Sequence, residues 1–263
     1  MAGPHVTRWT RLFLAALALV AGNALAADVH VMTSAGIFPV YSKLGAQFEK
    51  ATGHHLITVR GPSMGDSPEA IPTRLARGEA ADVVLLDGGA ADELAKKGLV
   101  RPDKVTIAGS EIGMVVKEGA PKPDISTVDA LKKVLLDAKS IAYSDSGSGT
   151  YISTKMFKQM GIHDEVMGKS RKVRGPPSGE PVAAVVARGE AEVGFQQVSE
   201  VKDVKGTTFV GAIPDEVQPG FTFAGAITTN AKQPDAARAL LQFLSSPEAA
   251  DTIRAAGLKP VTR

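Results

Sequence analysis

The chain of 263 residues contains no cysteine. This absence excludes disulfide bonds, a thiolate nucleophile and any metal site with cysteine ligands. Aromatic residues make up only 5% of the sequence, so a surface that stacks bases or sugars is disfavoured. Charge of one sign is not in excess either, since 30 Lys and Arg stand against 28 Asp and Glu. The sequence therefore lacks the broad basic surface that a nucleic-acid partner requires.

Two motifs that would indicate metal or nucleotide chemistry are also missing. The chain has no HExxH pair and no GxxxxGK[ST] phosphate loop. His54, His55 and His163 fall at predicted turns, where solvated side chains are the more common case. A hydrolase, an NTPase and a metalloprotein are disfavoured, and we predict no cofactor and no metal site.

The N-terminus has the pattern of an export signal. Arg8 and Arg11 precede a short apolar run, Leu12 to Ala21, and Ala24-Leu25-Ala26 has the small-x-small form of a signal-peptidase site. The run is shorter than the ~18 residues that a membrane span needs. We therefore predict a signal peptide over 1–26, cleaved near Ala26, and a periplasmic protein without stable membrane insertion.

Strand-like and helix-like segments alternate along the rest of the chain. "DVHVMTS" over 28–34 predicts a strand, and "FPVYSKLGAQFEKATG" over 38–53 predicts a helix that ends at Gly53. "ADVVLLD" over 81–87 is an apolar run that suits a strand covered on both faces. Such alternation predicts parallel α/β sheets with right-handed crossovers, and the length allows two lobes of about 100–130 residues.

Four loops rich in Ser, Gly and other donors follow predicted strands. They are "TSAG" (33–36), "RGPSMGDS" (60–67), "SDSGSGT" (144–150) and "RGPPSGEP" (174–181). In open α/β sheets ligands bind beyond the carboxyl ends of strands, so two closing lobes would bring these loops around one small ligand. For each loop alone a capped turn is the more common case, and in "SDSGSGT" we favour a helix cap over an anion site.

Two arginines occupy corresponding places beside Gly-Pro turns. Arg60 and Arg174 each begin one of these loops. Guanidinium groups match planar carboxylates with two parallel hydrogen bonds. The pair therefore favours an anion with more than one carboxylate over a fully dehydrated inorganic oxyanion.

Several segments resemble the periplasmic solute-binding proteins of the molybdate-binding type. The resemblance covers nearly the whole mature chain and rests on "VHVMTSAGIFPVYSKLGAQFEKATG", "ARGEAADVVLLDGGAADELAKKGLV", "YSDSGSGTYIS", "VVARGEAEVGFQQVSE" and "FLSSPEAADTIRAAGL". It implies the type II periplasmic-binding-protein fold, an α/β fold in which each lobe is a mostly parallel sheet flanked by helices and the ligand lies in the cleft between the lobes. Lobe 1 would be 28–109 plus 222–263, and lobe 2 would be 110–221. A monomer that delivers a small anion to a membrane transporter is the expected behaviour.

The resemblance also implies site residues by position. Ser34 and Ser63 match ligand serines of that family, Ser148 and Gly179 match backbone N–H donors, and Gln197 falls where the family has a ligand tyrosine. The lost tyrosine and the two arginines favour an organic polycarboxylate over molybdate. The predicted ligand-binding set is Ser34, Arg60, Ser63, Ser146, Ser148, Thr150, Arg174, Gly179 and Gln197.

Two functions stay open at this point. The first, which we favour because most chains with this fold bind and release, is a binding protein that closes its lobes around a carboxylate for a transporter. The other is a cofactor-free isomerase, because the chain is similar at class level to aconitate isomerase, which interconverts cis- and trans-aconitate by an allylic proton shift. Tyr151, Asp66, Glu180 or a histidine would then move the proton. A buried acid or base near the arginines would favour the isomerase, whereas a cleft of hydroxyls, amides and Arg alone would favour the binding protein.

Overall fold

Eleven strands in two sheets organise the chain, which a computed structural model describes over residues 26–261. The predicted signal peptide lies outside these residues, apart from Ala26. The strands are β1 (Asp28–Thr33), β2 (His55–Arg60), β3 (Val83–Asp87), β4 (Val105–Ser110), β5 (Ile112–Lys117), β6 (Ile141–Ser144), β7 (Ser170–Val173), β8 (Val193–Gln197), β9 (Thr207–Ala212), β10 (Phe221–Ile227) and β11 (Lys259–Pro260).

Helices connect and flank these strands. They are α1 (Phe38–Thr52), α2 (Ile71–Ala76), α3 (Gly88–Lys96), α4 (Val128–Asp137), α5 (Gly147–Tyr151), α6 (Phe157–Gln159), α7 (His163–Met167), α8 (Val182–Ala187), α9 (Val198–Val201), α10 (Pro234–Leu244) and α11 (Ala250–Ala255). A π-helical turn, Ile152–Met156, joins α5 to α6. Within the described part of the chain, none of the helices has the length and apolar character to cross a bilayer.

Each sheet contains parallel strands next to antiparallel ones. The first sheet has the order β11-β4-β10-β3-β1-β2, and the second has the order β7-β6-β8-β5-β9. The predicted parallel pairing is found for β1 with β2 and β3, and for β6 with β7 and β8. Antiparallel pairs arise where the chain passes between the sheets, because β5 pairs with β8 and β9, and the returning β10 pairs with β3 and β4.

The chain changes sheet twice, between β4 and β5 and between β9 and β10. Side chains fasten these crossings: Gln218 bonds both the N–H and the carbonyl of Ile112 at 3.0 Å, and Ser110 Oγ donates to Gln197 Oε1 at 2.5 Å. As domain limits, the predicted 28–109 plus 222–263 and 110–221 stay a prediction.

Sequence periodicity explains the helices and strands that pack against each other. In α1 the buried side chains Val40, Tyr41, Leu44 and Phe48 recur at helical spacing, and Gly53 ends the helix in the left-handed region at φ 74°. In β3 every residue is buried. Val83 and Leu85 pack into one hydrophobic cluster and Val84 and Leu86 into another, so both faces of this strand are covered, as predicted.

A buried carboxylate joins the first and last parts of the first sheet. Asp82 accepts the backbone N–H of His30 at 2.8 Å through one oxygen. Its other oxygen accepts those of Lys232 at 2.7 Å and Gln233 at 2.8 Å, just before α10. Three backbone donors from two segments that are far apart in sequence therefore depend on one side chain.

Candidate functional site

A small cavity lies where the carboxyl ends of β1 and β2 meet those of β6, β7 and β8. We call it the central cavity; its volume is about 40 Å³. Its lining residues are Ser34, Ala35, Gly36, Gly61, Pro62, Ser63, Ser144, Asp145, Ser146, Gly147, Gly175, Pro176, Gln196, Gln197, Glu200 and Phe223. All four predicted loops contribute to this wall, which is the position expected for ligands in open α/β sheets.

Two serines reach the central cavity from the first sheet. Ser34 is buried, and its Oγ has no hydrogen-bond partner within the described protein. Ser63 is also buried, and its Oγ accepts the N–H of Asp87 at 3.1 Å, which leaves its own proton to donate. Since buried polar groups are rarely left unpaired, both hydroxyls are suited to binding a ligand oxygen.

The loop around Ser63 also has the spacing G-x-S-x-G, in Gly61 to Gly65. The structure does not form a nucleophile elbow there, because the next helix, α2, begins only at Ile71. No histidine lies among the described residues that line the central cavity, so Ser63 has no general base of the usual type.

Three serine hydroxyls form a chain on the side of the second sheet. Ser144 Oγ bonds Ser146 Oγ at 2.9 Å and Ser148 Oγ at 3.1 Å. Ser146 is the N-cap residue of α5, yet its side chain makes no capping hydrogen bond. The capping interpretation of this loop is therefore wrong for Ser146, whose hydroxyl is drawn instead to Ser144. Gly149 allows the tight turn, since a Cβ there would collide with the carbonyl of Ser144.

Gln197 lies in the wall at the end of β8, and its amide is oriented by a crossing segment. Its Oε1 accepts the hydroxyl of Ser110. The Nε2 group is then the part of the amide left to donate into the central cavity.

The structure adds an acidic residue that sequence reasoning missed. Glu200, in the first turn of α9, lines the central cavity, and Gln196 Nε2 donates to its Oε1 at 2.6 Å. The orientation of Gln196 is set by its Oε1, which accepts the N–H of Val182 at 3.1 Å. Glu200 follows strand β8 directly, so the rule that selected the four loops would also have selected this fifth one.

The surroundings of Glu200 change its affinity for protons. Burial raises the pKa of Glu200 to about 7, and the nearby Asp145 carboxylate acts in the same direction. The amide donor of Gln196 and the cation of Arg60 act in the opposite direction. The result is a carboxyl group that exchanges protons near neutral pH, which is the range in which general acid–base catalysis is most effective.

A second cavity adjoins the central one at Glu200. We call it the side cavity; its volume is about 190 Å³. It shares Ala35, Pro176 and Glu200 with the central cavity and is also lined by Phe38, Pro39, Arg60, Pro181 and Ser199. The guanidinium carbon of Arg60 lies 4.1 Å from the centroid of the Phe38 ring, and the buried Nε has no hydrogen-bond partner among the described residues.

Contacts across the cleft hold the two sheets together on either side. Ser199 Oγ donates to the carbonyl of Gly36 at 2.7 Å, immediately beside Glu200. On another side, Arg174 pairs with Glu69 at 3.2 Å. Side-chain contacts therefore join the two sheets beside the central cavity, and we call this arrangement the closed form.

Other predicted ligand residues lie outside the central cavity. Arg174 is exposed in its pair with Glu69, and Gly179 packs against the carbonyl of Arg174 in an outer groove. Thr150 is exposed, and Ser148 is buried behind the wall. Their ligand roles stay a prediction, and only Ser34, Ser63, Ser146 and Gln197 of the predicted set line the central cavity, with Arg60 in the adjoining one.

The three predicted proton-transfer residues also lie away from the central cavity. Tyr151 donates to the carbonyl of Val217 at 3.0 Å, and burial raises its pKa. Asp66 is exposed in an outer groove, and Glu180 is held by Arg188, whose hydrogen bonds lower its pKa. Glu200 is better placed than any of them. Across residues 26–261, no cluster of three His, Asp or Glu side chains is arranged to hold a metal ion.

The raised pKa of Glu200 predicts a pH effect on stability. The folded protein keeps this proton where the unfolded chain, with a pKa near 4.5, has lost it, so the stability contribution falls as pH rises from about 4.5 to about 7. We expect Glu200→Gln to stabilise the protein above pH 7 by at most about 3 kcal/mol and to have little effect at pH 4.5. Urea unfolding of both proteins at the two pH values checks this, and an equal difference at both would contradict the assignment.

Comparison with known proteins adds to this geometry. The family described as bacterial extracellular solute-binding protein matches residues 29–259. The aconitate isomerase of a Pseudomonas species is 48% identical over 259 residues, which are 97% of this chain and 97% of that protein. The molybdate-binding protein ModA of Azotobacter vinelandii is 30% identical over 247 residues, 91% of this chain and 92% of that protein.

A solved structure shows the same fold. The periplasmic molybdate-binding protein of Azotobacter vinelandii has a TM-score of 0.69 and 21% identity, with 89% of this chain and 99% of that chain covered. The predicted two-lobed α/β fold and the resemblance to the molybdate-binding type are thereby confirmed.

Proposed function

The chain belongs to the bacterial extracellular solute-binding proteins, and within that family we propose that it is an isomerase that interconverts cis- and trans-aconitate without a cofactor. Its similarity to the Pseudomonas aconitate isomerase, at 48% identity over nearly the full length of both chains, supports the substrate. The family as such binds and releases solutes, so the chemistry must be argued from the site.

The observation that carries the proposal is the carboxyl group of Glu200 in the wall of the central cavity. Binding of a preformed anion by hydroxyl and amide donors does not require such a group. A proton-transfer enzyme needs one group that accepts and donates a proton near neutral pH. Glu200, with a pKa of about 7 caused mainly by burial, has this property.

The reaction needs one proton to move between two carbons. In the ionised form, Glu200 removes a proton from the CH₂ group of aconitate, and the electron pair of the broken C–H bond spreads over the three-carbon allyl unit and its carboxylates. Glu200 then returns the proton to the other terminal carbon, and the double bond forms on the opposite side. Atoms and charge balance, because the proton that leaves one carbon is replaced at the other.

Hydrogen-bond donors around the cavity suit the intermediate anion. The free hydroxyl of Ser34, the proton of Ser63 and the amide of Gln197 line the central cavity. Donors already in place stabilise negative charge as it develops on a carboxylate, with little reorganisation. Arg60 in the adjoining side cavity suits a planar carboxylate, which supports an organic carboxylate over molybdate.

Location and partners follow from the family. Extracellular solute-binding proteins act outside the cytoplasm, and we infer export to the periplasm through the predicted signal peptide, 1–26. Delivery of a carboxylate to a membrane transporter is the second candidate function, which the family match favours.

Proton NMR of trans-aconitate with a trace of purified protein tests the proposal. We expect cis-aconitate signals to grow over hours with native protein and not with heat-denatured protein. An unchanged spectrum would contradict the isomerase proposal. Line broadening of trans-aconitate at equimolar protein would then support a carboxylate receptor. Sharp lines would favour an inorganic oxyanion as the ligand.

A further inference from the structure

We propose that Arg60 binds one carboxylate of a tricarboxylate in the side cavity, so that the site selects tricarboxylates over dicarboxylates. The inference rests on the proposed function for its substrate class. It concerns recognition rather than turnover, and it can therefore be tested separately.

The first argument is that the hydrogen-bond donors of Arg60 have no acceptor among the described residues. Its side chain forms no hydrogen bond and no ion pair with residues 26–261, and its Nε is buried. By contrast, Arg74 pairs with Glu79 at 2.6 Å and Arg77 with the same carboxylate at 2.7 Å. The charge of Arg60 acts on the Glu200 carboxyl, but no carboxylate among the described residues forms an ion pair with the guanidinium group. Buried donors without partners are costly, so an anionic ligand explains this position.

The second argument is the orientation of the guanidinium group. Its carbon lies 4.1 Å from the centroid of the Phe38 ring, in a cation–π contact. The aromatic ring covers one side of the group and restricts how it turns. The planar set of N–H donors that remains is the part that binds a carboxylate with two parallel hydrogen bonds.

The third argument is the size of the two cavities. The central cavity, at about 40 Å³, holds roughly three water-sized groups, which is enough for a carboxylate but not for a tricarboxylate. The side cavity adds about 190 Å³ and meets the central one at Glu200. A ligand that spans both would place one carboxylate among the serines, another near Arg60 and its carbon chain beside the proton-transfer group.

The other predicted arginine is less suited to this role. Arg174 is exposed and already pairs with Glu69. The groove that it lines is separate from the central cavity and also contains Asp66 and Lys172. Arg60 is therefore the stronger candidate of the two.

Calorimetric binding of stable ligands tests the inference. The probes are tricarballylate, a saturated tricarboxylate that cannot isomerise, and the dicarboxylates glutarate and methylsuccinate, each of which lacks one carboxylate. For Arg60→Met we expect tricarballylate affinity to fall by about 10- to 100-fold. Affinity for at least one dicarboxylate should change by less than about 3-fold, because that ligand lacks the group that Arg60 binds.

Two further variants keep the result interpretable. Arg254→Met, at an exposed arginine paired with Asp251, is the matched control and should leave all three affinities unchanged. Arg60→Lys keeps the charge without the planar donor pair and should give an intermediate loss, which also covers the case that Arg60→Met does not fold. Equal weakening of all three ligands, or no weakening of tricarballylate, would overturn the inference.

The outcomes separate this inference from the proposed function. If binding of tricarballylate depends on Arg60 but NMR shows no turnover of aconitate, the protein is a tricarboxylate receptor and the isomerase proposal is wrong. Turnover of aconitate without that selection would leave the isomerase and remove the role of Arg60.

Discussion

Glu200→Gln is expected to lower kcat for aconitate interconversion by about 100- to 10,000-fold, the range that a general acid–base group contributes. Glutamine keeps the shape of the side chain, and its carbonyl oxygen still accepts the Nε2–H of Gln196. It cannot take up the proton, so chemistry is lost while the cavity remains. We therefore expect tricarballylate affinity to stay within about 3-fold of the parent, and NMR progress curves with calorimetry measure both quantities.

The pH profile distinguishes a catalytic loss from a structural one. In the parent protein, activity should rise with pH through about 7 as the Glu200 carboxyl ionises. The residual activity of Glu200→Gln should not show this rise with pH. Glu180→Gln makes the same chemical change at a residue held by Arg188 outside the cavity, and it tests the earlier candidate directly. If Glu180→Gln lost its activity and Glu200→Gln kept more than a tenth, Glu200 would not be the base.

Asp82→Ala should have the largest effect on stability. The substitution leaves the N–H groups of His30, Lys232 and Gln233 without their acceptor in a buried position. Each unpaired buried group costs about 1–3 kcal/mol, so we expect the free energy of unfolding to fall by about 4 kcal/mol. Chemical denaturation monitored by circular dichroism measures the change.

An exposed aspartate on the same part of the fold provides the control. Asp235→Ala removes an ion pair with Arg238 on the surface of α10 and should change stability by less than about 0.5 kcal/mol. If Asp82→Ala lost no more than Asp235→Ala, the join between the two parts of the first sheet would not depend on Asp82.

Individual helices and strands were the part of the fold that could be predicted best from the sequence. The apolar run of β3 and the spacing in α1, with Gly53 at its end, are local patterns, and the structure follows them. The antiparallel strands β5 and β10 were not anticipated by alternation alone. Their direction depends on how the chain crosses between sheets, which is a property of the whole topology.

The loops of the candidate site could be predicted from the sequence, but its proton-transfer group could not. Ser34 and Ser63 could be predicted because they lie in loops that follow parallel strands. Such loops meet at one edge of the sheet, where ligands bind. Glu200 was missed because an acidic residue in a short helix is usually solvated, and its burial arises from residues distant in sequence. Arg174 was selected by its likeness to Arg60, although the structure pairs it with Glu69 on the surface.

We expect the hydrogen bond from Ser199 to the carbonyl of Gly36 to couple closure of the cleft to protonation of Glu200. Glu200 lies beside this bond, at the contact between α9 and the first sheet, so we expect its high proton affinity to belong to the closed form. By reciprocal linkage, whatever closes the cleft takes up a proton near neutral pH, and whatever supplies protons favours the closed form. Hydrogen ions would then act as an allosteric effector of cleft closure.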